Sequence, residues 1–162
     1  KNIADFKKIV ILGSGGVVSA FGERWEKNLD DDVEIHILRR NPSLDNGLAN
    51  IFSDPKLHDF TCDALAPILD GAGEETLLIQ CTSAPLRGDD LSHLVPALET
   101  YQGIFVDTVY GQSSAMYYRA LALDLKVLDG EAMLIEQARL SQMFWWGRCA
   151  PYKEIALAIR GK

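Results

Sequence analysis

The run Lys8-Ile9-Val10-Ile11-Leu12 breaks into Gly13-Ser14-Gly15-Gly16-Val17-Val18, and this junction constrains the fold more than any other feature. A short β-branched run, a glycine turn and an opening helical pattern together describe the first βα unit of a dinucleotide-binding sheet. Gly13 allows the tight turn, and Gly15 lets backbone approach a diphosphate. Ser14, Gly16 and Val17 complete the loop, whose amides meet the positive end of a helix dipole and suit phosphate oxygens. The third small position of the fingerprint is Val18, a bulkier residue expected to loosen helix–strand packing or push the helix outward. A glycine turn that binds nothing is the competing reading.

Further apolar runs read as strands at residues 33–38, 76–81, 103–109 and 126–128, with a weaker candidate at 59–61. Helical patterns fall at residues 17–28, 91–101 and 113–125, with Ser113 as N-cap of the third. The chain closes in helix over 131–146 and 151–160, and Pro151 suits a first turn. Residues 44–59 are the least regular. Strands alternating with helices imply βαβ units and a parallel sheet. The expected fold is a single α/β domain, a doubly wound parallel sheet of Rossmann type followed by C-terminal helices.

At the end of the second strand an NAD-specific domain commonly carries Asp or Glu for the ribose 2′-hydroxyl. Here the residues are Arg39 and Arg40. Guanidinium groups pair with phosphate and stack on flat rings, so the pair favours the 2′-phosphate of NADP over NAD. A solvated basic pair at a strand end is the plainer alternative. In the penultimate helix, Gln137 shares a face with Met133, Leu140 and Phe144, spaced at i−4, i+3 and i+7. An amide on such a stripe is expected to be buried or to line a cleft, bonded by protein or by a ligand hydroxyl.

Composition narrows the partners. The 162 residues suit one domain, and a formal charge of −7 disfavours nucleic acid. No segment approaches the roughly 20 apolar residues of a membrane-spanning helix. Cys62, Cys81 and Cys149 are odd in number and widely spaced, which argues against a disulfide framework and for a reducing compartment. No metal-ligand spacing occurs, and His36, His58 and His93 read as ordinary surface or strand residues. No leader segment is recognisable at the start, so a cytoplasmic location is expected. The first residue is Lys1, as expected of a trimmed chain or of a domain cut from a longer polypeptide.

The segment Asp129-Gly130-Glu131-Ala132-Met133-Leu134-Ile135-Glu136-Gln137-Ala138, followed by Trp145, Gly147 and Pro151, resembles the C-terminal signature of shikimate dehydrogenases. Gly13-Ser14-Gly15-Gly16, Leu38-Arg39-Arg40, Cys81-Thr82-Ser83 and Asp107-Thr108-Val109-Tyr110 are similar to other family segments, in order along nearly the whole chain. The resemblance implies that Arg39 and Arg40 hold the 2′-phosphate of NADP. It places Thr82 and Ser83 beside the ribose or nicotinamide, and Gly130 and Met133 at the nicotinamide end. Gln137 and Tyr110 would face a shikimate-like substrate. The implied reaction is NADPH-dependent reduction of 3-dehydroshikimate to shikimate.

The chain also departs from the family. Gly111 and Gln112 follow Tyr110 where the family has Asn-Pro, and Gln142 stands where Phe is frequent. The family's catalytic Lys–Asp pair belongs to an N-terminal substrate domain with no counterpart here, and Lys7 and Lys8 have the wrong context. The chain is therefore expected to contain no catalytic residue and to be inactive alone. A non-catalytic shikimate-pathway sensor or regulator, and a quinate dehydrogenase, remain alternatives. The apolar stretch 144–159 is expected either to meet a partner surface, with a homodimer as the favoured outcome, or to cover the sheet.

Overall fold

A computed structural model describes residues 2–25, 28–41, 51–111 and 113–161, with only the backbone of residues 23 and 24. Six strands, β1 (Lys8–Leu12), β2 (Glu34–Arg39), β3 (Lys56–Asp59), β4 (Thr76–Gln80), β5 (Ile104–Asp107) and β6 (Lys126–Leu128), form one sheet. All pairings are parallel and the order is β3-β2-β1-β4-β5-β6. The helices are α1 (Gly16–Trp25), α2 (Cys62–Leu69), α3 (Ala115–Ala122), α4 (Glu131–Trp146) and α5 (Tyr152–Ile159).

The apolar runs have a direct cause. Alternate residues of a strand point to opposite faces, and both faces of the central strands are covered. Val10, Leu12, Leu38, Leu78 and Phe105 pack with Leu65, Leu69, Leu94, Leu98 and Met116 on one side. Ile9, Ile11, Ile37, Leu77 and Ile79 pack with Phe6, Val18 and Phe52 on the other. Val18 is fully buried there, so the bulky third position fills the helix–sheet interface rather than disturbing it.

Several expectations need correction. The helix expected over 91–101 is a 3-10 segment, Ser92–Leu98. Leu91 takes a left-handed conformation (φ 62°) just before it, and Pro96 sits inside it. Proline removes a backbone donor, which shortens what can propagate. The N-cap of α3 is Ser114, not Ser113: its Oγ accepts from Tyr117 N and donates to Asp107. The strand anticipated at 59–61 is β3, ending at Asp59, and residues 56–59 of the irregular stretch belong to it. Residues 44–50 lie outside the described part.

Helix α2 was not anticipated. Thr61 caps it through Ala64 N at 3.2 Å, and Asp63 sits in its first turn. Pro67 within it masks the helical signal. Pro151 is the N-cap of α5 rather than a helical residue. No described helix is long and apolar enough to cross a membrane.

Candidate nucleotide site

The strand order places β2 and β4 on either side of β1, so the loops after these three strands converge at one edge of the sheet. In open parallel sheets ligands bind at the carboxyl ends of the strands, where connections diverge. A cleft of about 830 Å³ lies there, lined by the glycine turn, by Arg39 to Asn41, and by Cys81 to Ala84. Phe60, Arg87, Asp89 and His93 complete it.

The glycine turn is fixed from below. Gly13 has φ 107°, and its amide donates to Leu38 O at 2.8 Å, binding the turn to the end of β2. A Cβ at Gly13 would stand 2.9 Å from Thr82 Cγ2, so the glycine also permits contact with the loop after β4. Gly15 and Gly16 are exposed, and nothing lies within 4 Å of the point a Cβ would occupy on either. The turn therefore presents open backbone at the start of α1, where the first amides of a helix lack partners within it. These residues fit a diphosphate.

The two arginines at the end of β2 differ. Arg39 is only 4% exposed, and its Nε donates to Asn41 O at 2.7 Å. Arg40 is exposed beside it. Asp59 of β3 is the residue paired with Arg39 in the sheet. Among the described residues, three guanidinium groups, those of Arg39, Arg40 and Arg87, and one carboxylate, Asp89, line the cleft of a chain whose net charge is −7. That local reversal of sign draws anions.

Beneath the cleft is a buried polar network. Gln80 Nε2 donates to Asp107 Oδ1 at 3.3 Å and to Thr82 O at 3.2 Å, while Gln80 Oε1 accepts from Thr82 N. Asp107 also accepts from Val109 N at 3.0 Å and from Ser114 Oγ at 2.8 Å. Gln80, Asp107 and Ser114 are fully buried, so the position of Thr82 is set by a polar chain through β4 and β5. The Cys81 thiol, 7% exposed, is pushed up to about 12 by burial and by the Asp107 carboxylate.

Among the expected site residues, Gly13, Ser14, Gly15, Gly16, Val17, Arg39, Arg40, Thr82 and Ser83 all line this cleft. Tyr110, Gly130, Met133 and Gln137 are not among its lining residues. Gly130 packs against the loop after β5, where a Cβ would fall 2.3 Å from Thr108 O. The Tyr110 hydroxyl lies 3.5 Å from Ile159 O.

Gln137 is exposed, so of the two expected settings, burial or the lining of a cleft, burial is not met. Helix α4 packs on α5 through Ile135, which meets Ile155 and Ala156, while Leu140 (68%) and Phe144 (86%) face solvent. The helix is apolar on more than one face, so periodicity alone selects the wrong one. Trp145 and Trp146 are two-thirds exposed, so they do not enter the sheet core.

Arg87, Phe60 and His93 were missed as cleft residues. They come from separate loops, and no local pattern marks their convergence. The ring of His93 meets that of Phe60 edge-on at 6.0 Å. A second cavity, about 690 Å³, lies elsewhere and includes Glu74, Glu99, Asp124 and Lys126. Its charge is the wrong sign for phosphate. Among the described residues no group of three or more His, Cys, Asp or Glu is placed to hold a metal ion.

The all-parallel six-stranded sheet with a glycine turn after its first strand defines an α/β dinucleotide-binding fold of the Rossmann type. Among solved structures it is similar to a chorismate mutase/shikimate 5-dehydrogenase fusion protein from Clostridium acetobutylicum, with TM-score 0.73 and 22% identity over 98% of this chain. It is also similar to quinate dehydrogenase from Corynebacterium glutamicum in complex with NAD, with TM-score 0.76 and 17% identity over 97% of this chain. A shikimate dehydrogenase in complex with NADP+ matches 96% of this chain with TM-score 0.71 and 20% identity. The chain spans about half the length of these proteins: 56%, 56% and 54% respectively. No protein-family model matches the sequence, and no curated protein matches it significantly.

Proposed function

We propose that this chain is the NADP-binding domain of a shikimate dehydrogenase-like oxidoreductase acting in the cytoplasm. The observation that carries the reading is the pairing of an open glycine turn with Arg39 and Arg40 in one cleft, where an NAD-selective site would hold an acid. The resemblance of the 129–138 segment to the family signature, and the likeness of fold to shikimate and quinate dehydrogenases, support it. Bound NADPH would supply the hydride for reduction of 3-dehydroshikimate.

In this reading the backbone of Gly13 to Val17 holds the diphosphate, Arg39 and Arg40 take the 2′-phosphate, and Thr82 and Ser83 border the ribose. Gly130 and Met133 lie toward the nicotinamide, and Tyr110 and Gln137 toward the substrate. Proton transfer is assigned to a Lys–Asp pair outside these 162 residues, so no catalytic residue is assigned within the chain. Calorimetric titration with NADPH and NADH, and a spectrophotometric shikimate oxidation assay on the isolated chain, test the reading. Tighter NADPH binding without turnover is expected. Equal affinities remove the NADP assignment, and clear turnover places the catalytic groups within the chain.

A further inference from the structure

We propose that Arg87 is a second cationic arm of the cleft, directed at the diphosphate of the dinucleotide rather than at its 2′-phosphate; this rests on the nucleotide-binding reading above. The argument begins with topology. Arg40 directly follows β2, Arg87 follows β4, and both strands neighbour β1. The glycine turn follows β1, so exposed guanidinium groups come to the cleft from the strands on both sides of it. The β2 side is where a ribose 2′-substituent is read. The β4 side offers the diphosphate a charge of its own.

The loop bearing Arg87 is tied by hydrogen bonds of its own backbone. Arg87 N donates to Ala84 O at 2.9 Å, Gly88 N to Pro85 O at 3.2 Å and Asp89 N to Ala84 O at 3.1 Å. Pro85 is buried beneath, and Gly88 adopts φ 86° to close the turn. The guanidinium is oriented by its own hydrogen bond to Ser83 Oγ. The nearby carboxylate of Asp89 is turned to another task, accepting from Leu91 N at 3.0 Å. Among the described residues no carboxylate forms an ion pair with Arg87. A held, uncompensated guanidinium at the rim of an anion cleft is suited to charge-assisted bonding.

A diphosphate occurs in both NADPH and NADH, whereas the 2′-phosphate occurs only in NADPH. Arg87 therefore sets overall affinity, and Arg40 sets cofactor choice. The test is calorimetric titration of the 162-residue chain with each cofactor, for the unmodified chain, Arg87→Gln and Arg40→Gln. Arg87 is exposed, so its variant is expected to melt at the unmodified temperature. Arg87→Gln should weaken NADPH and NADH by the same factor, about 10-fold for one charge-assisted contact. Arg40→Gln should weaken NADPH alone. A loss confined to NADPH in Arg87→Gln, or no loss for either cofactor, overturns the proposal while leaving nucleotide binding intact. An unmodified chain that binds neither cofactor overturns both readings.

Discussion

His36 Nδ1 lies 3.0 Å from Nε2 of His58, so β2 and β3 are joined by a hydrogen bond between two nearly parallel imidazole rings. One ring must accept, so at least one is neutral. Glu34 Oε2 stands 3.4 Å from His36 Nε2, and Lys56 Nζ lies 3.0 Å from Glu34 Oε1.

This pair makes stability depend on pH. Burial holds both histidines below the ordinary value of 6.5; for His36 it outweighs the opposing Glu34 carboxylate. The unfolded chain then takes up protons first as pH falls. The contribution is intact above the unfolded value and is lost as pH drops from about 6.5 through the folded values. Glu34, held low mainly by Lys56, loses its contribution in a separate window below 4.5. Melting temperature should fall between pH 7.5 and pH 5, with a shallower slope in His58→Gln. A flat profile in the unmodified chain would contradict this.

Cofactor selectivity should reside at the end of β2. Replacing Arg39 with Gln is expected to weaken NADPH binding by roughly 1.5–3 kcal/mol and to leave NADH nearly unchanged. Because Arg39 is buried and bonded to Asn41 O, melting temperature should also fall. Calorimetry and thermal denaturation read the two effects separately.

Two glycines should respond oppositely to alanine. Gly15 has open space around its would-be Cβ, so Gly15→Ala should keep its melting temperature but bind NADPH weakly, since the methyl occupies the phosphate's approach. At Gly130 the methyl would meet backbone, and overpacking there should cost about 1–3 kcal/mol of stability. Denaturant midpoints and titrations of the two variants check the contrast.

The three thiols should differ in reactivity. Thiolate is the nucleophile, and Cys81, raised to about 12, is protonated at pH 8. Iodoacetamide should label the half-buried Cys62 and Cys149 in the native chain and spare Cys81 until the protein unfolds. Peptide mass spectrometry with and without denaturant decides it. Labelling of Cys81 at a rate equal to the others would refute the expectation.

The C-terminal half of α4 should drive association. Leu140, Met143, Phe144, Trp145 and Trp146 are all exposed around its last turns, and clustered exposed apolar side chains mark interaction surfaces. Light scattering is expected to give a concentration-dependent dimer of the isolated chain. A Phe144→Ser, Trp145→Ala double variant should remain monomeric. A monomer at high concentration for the unmodified chain would remove the dimer reading.

The sheet was legible because buried parallel strands must be apolar on both faces, which leaves unmistakable runs such as Ile9 to Leu12 and Leu77 to Ile79. The phosphate turn was legible because it is local. Distinguishing Ser114 from Ser113 depended on Asp107, a fully buried residue across the loop between β5 and α3. Recognising Arg87, Phe60 and His93 as neighbours required the loop geometry itself. Gln137 shows the limit of periodicity: the stripe is real, but the face that packs is set by Ile155 and Ala156 on α5.

Helices α4 and α5 keep a small apolar cluster of their own, separate from the two layers that clamp the sheet. A cooperative unit of that kind is able to open locally while the strands beneath the glycine turn stay closed. Under the proposed function, the grip of the glycine turn and the β2 arginines on the phosphates is thus adjustable apart from the α4–α5 packing, which bears on the nicotinamide end through Gly130 and Met133. Weakening the hairpin formed by the last two helices need not release a ligand held between β1, β2 and β4.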